Sequence, residues 1–328
     1  MSFFENKTVV VTGGAGFVGS HLCQALLAEG AKVVAVDNLI TGSQQNLVEF
    51  ASNEKFLFIK ADVIKPPLSY LPADLKIDLI LHFASPASPP RYQEHPVETY
   101  LVNSLATHNL LQYLKESNPQ ARFLFASTSE VYGDPQEHPQ KETYWGNVNP
   151  NGPRSCYDEG KRLGETICGV HQRDFKMDVR IVRIFNTYGP RMDIDDGRVI
   201  PSFIKESLMG GPLSMFGDGS QTRSYCYVSD LVAGVLKLAA GEGCSGQTVN
   251  LGNPGEFTVL ETAKLIWQQI HGEISQPELV FSQLPTDDPL RRQPDISRAK
   301  EILGWQPIVE FKAGLVKTVE YFKANQTN

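Results

Sequence analysis

Short apolar runs alternate with helix-like patterns over the first 185 residues of the chain. The runs occupy Thr8–Thr12, Ala31–Asp37, Phe56–Ile59, Leu79–Phe83, Phe123–Ala126 and Val179–Phe185. Between them, apolar residues recur every three or four positions, as on one face of a helix, over Ser20–Glu29, Pro96–Lys115 and Tyr157–Arg173. The runs do not alternate with polar residues, which indicates strands buried on both faces. The pattern therefore predicts an α/β protein with a parallel sheet between layers of helices.

The sequence changes in texture after residue 185. Glycine, proline and charged residues become denser, and helix-like stretches remain at Ser229–Ala240, Val259–His271 and Phe311–Phe322. We therefore expect two domains, one over residues 1–185 and a smaller C-terminal α/β domain over residues 186–328. The boundary is expected to be discontinuous, with residues around 225–250 returning to the first domain.

Composition narrows the functional class. The chain has 328 residues, of which 41% are hydrophobic, so it can bury a core and is not intrinsically disordered as a whole. Its net charge of −7 argues against a nucleic-acid or anionic-membrane partner. The five cysteines contain no CxxC pair and the histidines no HxxxH pair, so neither a disulfide framework nor a metal site is expected. No apolar run approaches the ~18 residues of a membrane span, and the first residues lack a signal-peptide core, so we expect a cytoplasmic protein.

A glycine-rich turn lies between the first predicted strand and the first predicted helix. The segment TGGAGFVG carries Gly13, Gly16 and Gly19, which permit a tight turn, close approach of a pyrophosphate and close helix–strand packing. This context predicts dinucleotide binding on a Rossmann-type, doubly wound sheet. Asp37 ends the second strand, where a carboxylate accepts ribose hydroxyls and repels a 2′-phosphate, which favours NAD over NADP. The alternative is an aspartate that only shapes a turn.

A tyrosine and a lysine are four positions apart near the start of a predicted helix. This spacing places Tyr157 and Lys161 on one face. The ammonium group favours the phenolate, so the pair can remove a proton from a sugar hydroxyl as a hydride leaves its carbon. The hydroxyls of Ser127, Thr128 and Ser129 follow a strand end and can hold the reacting oxygen. An exposed helical pair without catalytic function is the alternative.

Taken in order, these motifs resemble the extended short-chain dehydrogenase/reductase family. Within it, longer stretches resemble the UDP-glucuronic acid decarboxylases, or UDP-xylose synthases. These stretches are His82–Tyr92, Ala126–Gln140, Tyr144–Arg162, Arg183–Met192, Asp196–Val199, Gly217–Leu231, Asn250–Pro254 and Asp287–Ile296. The resemblance covers nearly the whole chain, and segments such as ASPASP and TSEVYGDP are more specific than the glycine motif.

The resemblance implies a redox-neutral reaction. Bound NAD oxidises the C4 hydroxyl of UDP-glucuronate with Tyr157 as base, and the C6 carboxylate, now β to a ketone, leaves as CO2. The enolate is protonated at C5, and the retained NADH reduces C4 to give UDP-xylose. The first domain is then the NAD-binding domain and the second the nucleotide-sugar-binding domain.

The resemblance also implies the residues of the site. The catalytic set is Tyr157, Lys161, Thr128, Ser129 and Glu130. The NAD-binding set adds Gly13, Gly16, Phe17, Val18, Gly19, Asp37, Asn38, Thr41, Gly42, Asp62, Val63, Phe83, Ser85 and Thr187 to Tyr157 and Lys161. The substrate-binding set is Tyr144, Asn186, Arg191, Arg198, Arg223 and Arg292. Surface salt bridges are an equally good explanation of Arg191 and Arg198.

Three alternatives stay open. Nucleotide-sugar 4,6-dehydratases resemble this chain but have an Asp–Glu pair where it has Ser129-Glu130, so elimination would lack its proton donor. The second is a 4-epimerase, which needs only a keto-sugar that can rotate in the site. For Glu130 itself, the alternative is a loop carboxylate in a salt bridge. A catalytically silent NAD-binding sensor or scaffold is the third alternative.

The family resemblance further implies a homodimer through the helix that contains Tyr157, with apolar residues of Leu163–Val170 at the interface or in the core.

Overall fold

Strands and helices alternate along most of the chain in a computed structural model that describes residues 2–325. The strands are β1 (Thr8–Thr12), β2 (Lys32–Asp37), β3 (Phe56–Lys60), β4 (Leu79–His82), β5 (Arg122–Thr128), β6 (Asp178–Ile184), β7 (Thr187–Tyr188), β8 (Leu213–Phe216), β9 (Thr222–Ser224), β10 (Cys226–Tyr227), β11 (Thr248–Leu251), β12 (Glu256–Thr258) and β13 (Leu279–Ser282). The helices are α1 (Phe17–Ala28), α2 (Pro89–Glu94), α3 (Pro96–Asn103), α4 (Leu105–Ser117), α5 (Ser155–Phe175), α6 (Val199–Leu208), α7 (Val228–Ala240), α8 (Val259–His271), α9 (Ser297–Leu303) and α10 (Phe311–Asn325).

The predicted parallel, doubly wound sheet is confirmed. Seven strands lie in the order β11-β6-β5-β4-β1-β2-β3, and every neighbouring pair is parallel. Val9, Val10 and Val11 of β1 are fully buried, as expected for a strand covered on both faces. The direction of strand order reverses between β1 and β4, and ligands bind at such a point, outside the carboxyl ends of the strands.

Three two-stranded sheets lie outside the main sheet. They pair β7 with β10, β8 with β13, and β9 with β12. The strand β11 follows these smaller strands β8–β10 in sequence but joins the main sheet next to β6. The division into domains at residue 185 stays a prediction. Within residues 2–325, no helix combines the length and hydropathy needed to cross a bilayer.

One predicted helix is wrong in its extent. The expected single helix Pro96–Lys115 is two helices, α3 and α4, separated at Ser104, whose ψ of −74° departs from helical geometry. The Ser104 hydroxyl donates to the carbonyl of Tyr100 (2.6 Å), and the Asn103 amide donates to the carbonyl of Thr99 (2.8 Å). Side-chain bonds to the carbonyl four residues earlier often bend helices, and here two of them accompany the break at Ser104. The other predicted strands and helices begin and end within about three residues of the observed bounds.

Candidate active site

A deep cleft runs along the carboxyl edge of the main sheet. Its volume is about 1170 Å³, above the ~300–1,000 Å³ of a typical small-molecule site, so there is room for two ligands. The wall includes the β1–α1 turn, the ends of β2, β4 and β5, the start of α5, and the loop between β7 and α6. The segment before α9 completes it.

In the β1–α1 turn, main-chain segments lie unusually close to one another. Gly13 has a φ of +71°, and its N–H donates to the carbonyl of Val36 (2.8 Å). A Cβ on Gly19 would lie 2.0 Å from the Gly13 carbonyl oxygen, so only glycine permits this contact. Helix α1 then begins after Gly16 without a side-chain cap. Its first N–H groups are therefore available to an anion.

Asp37 lies beside this turn, at the end of β2. Its carboxylate accepts hydrogen bonds from the N–H groups of Ala15 (3.0 Å) and Leu39 (2.8 Å). Burial raises the pKa of Asp37, and these hydrogen bonds oppose that effect. The turn-shaping function that the sequence left open is thus present. Contact with a ribose stays a prediction, although Asp37 also lines the cleft.

All the predicted NAD-binding residues line one continuous cleft. Besides the glycines and Asp37, they are Phe17, Val18, Asn38, Thr41, Gly42, Asp62, Val63, Phe83, Ser85, Tyr157, Lys161 and Thr187. They come from six separate places in the sequence, and the parallel sheet brings them to one edge. The residues therefore fit a dinucleotide that lies across the switch point.

Tyr157 and Lys161 lie side by side on α5. The Lys161 ammonium donates to the carbonyl of Ala126 (2.6 Å) and is 5.7 Å from the centre of the Tyr157 ring. Burial lowers the pKa of Lys161 to about 7. Burial raises the pKa of the Tyr157 phenol, and a hydrogen bond with Thr128 opposes this shift. Burial thus favours the protonated phenol, which requires further positive charge to act as a base.

The predicted row of hydroxyls divides between two environments. Thr128 and Ser129 line the cleft. Ser127 lines it as well, but its hydroxyl donates to the Glu165 carboxylate (2.6 Å), which also pairs with Arg183 (2.7 Å). Thr128 also hydrogen-bonds the Tyr157 side chain, and its contact with a reacting oxygen stays a prediction.

Five charged side chains form a continuous series beside Tyr157, which we call the ion-pair chain. It runs Arg292–Glu130–Arg154–Asp288–Arg223. Glu130 binds Arg292 on one oxygen and Arg154 on the other (2.8 Å). Burial by itself raises the pKa of Glu130, but the charges of Arg292 and Arg154 outweigh it and lower the pKa to about 2. Three guanidinium groups against two carboxylates leave the chain with a net positive charge.

The structure brings together only part of the predicted substrate-binding set. Arg223, Arg292, Asn186, Arg198 and Arg191 line the cleft. Arg198 pairs with Asp196 (2.9 Å). The Arg191 guanidinium is engaged by the carboxylate of Glu49 (2.7 Å) and the amide oxygen of Gln24 (2.8 Å). Tyr144 is outside the cleft wall, where its hydroxyl accepts from the N–H of Gln136 (3.0 Å).

Sequence reasoning missed four residues of the site. Tyr92 stacks on the Tyr157 ring at 5.0 Å and an interplanar angle of 6°, and its buried hydroxyl has no hydrogen-bond partner within the described residues. Arg154 and Asp288 belong to the ion-pair chain. Asp158 is buried, and burial together with the Glu130 charge raises its pKa to about 8. The sequence held a signal for all four, because they lie in stretches that carry the family resemblance: His82–Tyr92, Tyr144–Arg162 and Asp287–Ile296.

The fold and the cleft define an NAD-binding enzyme that acts on a nucleotide ligand. Residues 9–252 match the NAD dependent epimerase/dehydratase family, and the chain belongs to this family. Within residues 2–325, no group of three or more His, Cys, Asp or Glu side chains could hold a metal ion.

Similar proteins narrow the class further. The chain is 51% identical over 315 residues to UDP-glucuronic acid decarboxylase 2 of Arabidopsis thaliana, a match that covers 96% of this chain and 68% of the relative. It is 28% identical to the UDP-glucuronic acid 4-epimerase of Bacillus cereus, solved with UDP-glucuronic acid and NAD, at a TM-score of 0.83 over 97% of this chain and 99% of that one. It is 29% identical to the dTDP-glucose 4,6-dehydratase DesIV of Streptomyces venezuelae, solved with NAD bound, at a TM-score of 0.87 over 98% of both chains. The predicted resemblance to the decarboxylases is confirmed.

Proposed function

We propose that this protein decarboxylates UDP-glucuronate to UDP-xylose by NAD-dependent oxidation at C4, loss of CO2 and re-reduction at C4. The observation that carries the proposal is the excess of guanidinium groups in the cleft that Tyr157 lines. A nucleotide-sugar acid brings a diphosphate and a carboxylate, and arginine suits both. The 51% identity to a decarboxylase supports this activity over those of the epimerase and the dehydratase, which are 28% and 29% identical.

The residues at the carboxyl edge fit NAD. The uncapped N–H groups at the start of α1 would hold the pyrophosphate, and Asp37 would accept the ribose hydroxyls. When bound, NAD supplies the hydride acceptor and later the hydride donor, so no second reductant is needed. The positive charge of the oxidised nicotinamide also favours the phenolate of Tyr157.

Tyr157 and Thr128 handle the proton of the C4 hydroxyl. The hydrogen bond from Lys161 Nζ to the carbonyl of Ala126 fixes this group in position. The Nζ atom therefore stays close to the Tyr157 ring. Tyr157 takes the proton during oxidation and returns it during reduction. Thr128 donates to the developing oxygen at C4.

If C4 of the sugar lies at Tyr157, we expect C5 and C6 near Glu130 and Arg292. A carboxylate of the substrate would compete with Glu130 for the Arg292 guanidinium. The electrons of the broken C5–C6 bond go to the C4 ketone oxygen as CO2 leaves, and a proton is then added at C5. We assign delivery of that proton to Glu130, which must first be protonated itself.

Product analysis tests the proposal. Incubation with UDP-glucuronate in D2O should give a nucleotide sugar that has lost one CO2 and carries one deuterium at C5, measured by mass spectrometry and NMR. A product of unchanged mass would establish the epimerase, and loss of water from dTDP-glucose the dehydratase. The Tyr157→Phe variant should retain NAD but lose activity about 10²–10⁴-fold. Unchanged turnover in this variant would show that Tyr157 is not the base.

Assembly and location belong to the same proposal. The residues Val97, Tyr100, Leu105 and Leu163 on α3, α4 and α5 are each more than 40% exposed, which supports a homodimer through these helices. The Leu163→Asp variant should sediment as a monomer, and an unchanged sedimentation coefficient would exclude this interface. The five cysteines are free, which supports a reducing cytoplasmic location.

A further inference from the structure

We propose that Asp288 is a positioning residue that couples binding of the nucleotide diphosphate to the charge around Glu130. This inference rests on the proposed function, because it takes Arg223 as a phosphate ligand. The reactive groups are Tyr157 and Glu130, and Asp288 acts on them only through two arginines.

Asp288 divides its carboxylate between two sites. One oxygen binds Arg154 (3.1 Å), which continues to Glu130, and the other binds Arg223 (2.8 Å). The side chain of Asp288 is 24% exposed, whereas Arg154 and Arg223 are 8% and 10% exposed. The two ion pairs are therefore largely screened from water, and a change at one arginine is felt at the other.

An arriving diphosphate must compete with Asp288. The Arg223 guanidinium is engaged by Asp288 and by the carbonyl of Thr222 (2.9 Å). A diphosphate carries two charges and several acceptor oxygens, so it displaces a single carboxylate from a guanidinium. Asp288 is then left with Arg154 alone.

Displacement of Asp288 from Arg223 weakens the interaction between Arg154 and Glu130. Arg154 shares its two terminal nitrogens between Asp288 and Glu130. When Asp288 turns wholly to Arg154, that arginine neutralises Glu130 less completely, and the phosphate charges add to the effect. Glu130 then accepts a proton at higher pH than in the empty enzyme. The carboxyl group becomes able to deliver a proton to C5 only when a nucleotide is in place.

Asp287 provides a matched control. It precedes Asp288 directly, and its carboxylate accepts from the side-chain amide of Asn149 (3.0 Å) rather than from an arginine. Its φ of +61° lies in a region that asparagine tolerates well. Asp287→Asn therefore removes the same charge from the same loop without altering the ion-pair chain.

Calorimetry with UDP-xylose on the NAD-loaded enzyme tests the coupling, since this diphosphate diester does not titrate near pH 5. Asp288→Asn should bind UDP-xylose about tenfold more tightly than the wild type, because its competing charge is gone, and Asp287→Asn should bind as the wild type does. In Asp288→Asn, kcat for UDP-glucuronate should fall, and the limb on which kcat decreases with rising pH should move to lower pH, because Arg154 then stays on Glu130. Equal affinities in the two variants, or weaker binding in Asp288→Asn, would overturn the inference.

A measurement on the wild type makes the test independent of how the variants fold. Binding of UDP-xylose near pH 5 should be accompanied by net proton uptake, read from the heat in buffers of different ionisation enthalpy. Absence of uptake counts against the coupling. A wild type that neither binds UDP-xylose nor decarboxylates UDP-glucuronate would instead refute the proposed function itself.

Discussion

The two ends of the cleft are built by different physical means. At the dinucleotide end, the β1–α1 turn shapes the site with main-chain atoms of consecutive residues, and Gly13 and Gly19 set its geometry. At the sugar end, the ion-pair chain assembles charged side chains from four separate segments of the sequence. The first end depends on steric fit and the second on a balance of charges.

This difference assigns different sensitivities to the two ends. A steric contact does not change with pH or salt, so the cofactor end should hold NAD throughout a cycle in which its charge changes. An ion-pair network responds to each added charge, and its members shift one another's proton affinity. The sugar end can therefore respond to the substrate, whereas the cofactor end cannot.

The largest effect of a substitution is expected at the dinucleotide end, which depends on steric fit. In Gly19→Val, the new side chain would collide with the Gly13 carbonyl, 2.0 Å from the Cβ position. The turn must open, so NAD affinity should fall at least about a hundredfold, and the purified protein should contain no nucleotide. The content of bound nucleotide after denaturation measures this directly.

Gly211→Val is the control for this substitution. A Cβ at Gly211 meets nothing within 4 Å, so this variant should keep its NAD. If Gly19→Val also keeps its NAD, the steric account of the cofactor end is wrong.

The next largest effect is expected at the sugar end, where loss of Arg154 should lower the stability of the fold. Arg154→Met leaves Glu130 with one guanidinium and removes one of the two partners of Asp288. The free energy of unfolding should fall by about 3–5 kcal/mol at pH 7, because a buried carboxylate loses a partner. Removing the carboxylate as well, in Arg154→Met/Glu130→Gln, should recover part of this loss. A double variant less stable than the single one would show that Arg154 does not act through Glu130.

The pH dependence of that loss has a definite sign. The folded-state pKa of Glu130 is lowered to about 2, so its ion pairs stabilise the fold above its ordinary value of 4.5. This stabilisation disappears as the pH falls from 4.5 toward 2. The gap between wild type and Arg154→Met should therefore narrow over this range in urea denaturation.

Replacement of Lys161 should have opposite effects on activity and on stability: the activity should be lost, whereas the free energy of unfolding should rise. Burial lowers its folded-state pKa to about 7 from 10.5, so the charged form destabilises the empty protein below pH 7 and less as the pH rises toward 10.5. Lys161→Met should abolish activity yet raise the free energy of unfolding by about 2 kcal/mol at pH 6.5.

The matching measurement compares two pH values. The gain from Lys161→Met should be smaller at pH 9.5 than at pH 6.5, whereas Lys32→Met, at an exposed position, should give no gain at either. A gain independent of pH would mean that burial of the charge is not its cause.

The same contrast explains what the sequence could predict. The glycine turn and the Tyr157–Lys161 pair depend on residues close together in the chain, and both are where the pattern places them. Arg154 and Asp288 meet only because distant segments pack together, and no local spacing predicts an ion pair across them. The break at Ser104 escaped prediction for another reason: it coincides with side-chain bonds to the preceding turn, to which hydrophobic periodicity is insensitive.

The smallest effect concerns Arg191, for which the family resemblance and the structure suggest different functions. Its guanidinium binds Glu49, whose side chain is 67% exposed, and pairs of this kind contribute about 0.2–1 kcal/mol. In Arg191→Gln, the KM for UDP-glucuronate should therefore stay within about threefold of the wild type. In Arg223→Gln, the loss of a phosphate ligand at the charged end should raise KM at least about tenfold. If Arg191→Gln raises KM as much as Arg223→Gln does, Arg191 leaves Glu49 to bind substrate, and the charged end extends further along the cleft than the ion-pair chain.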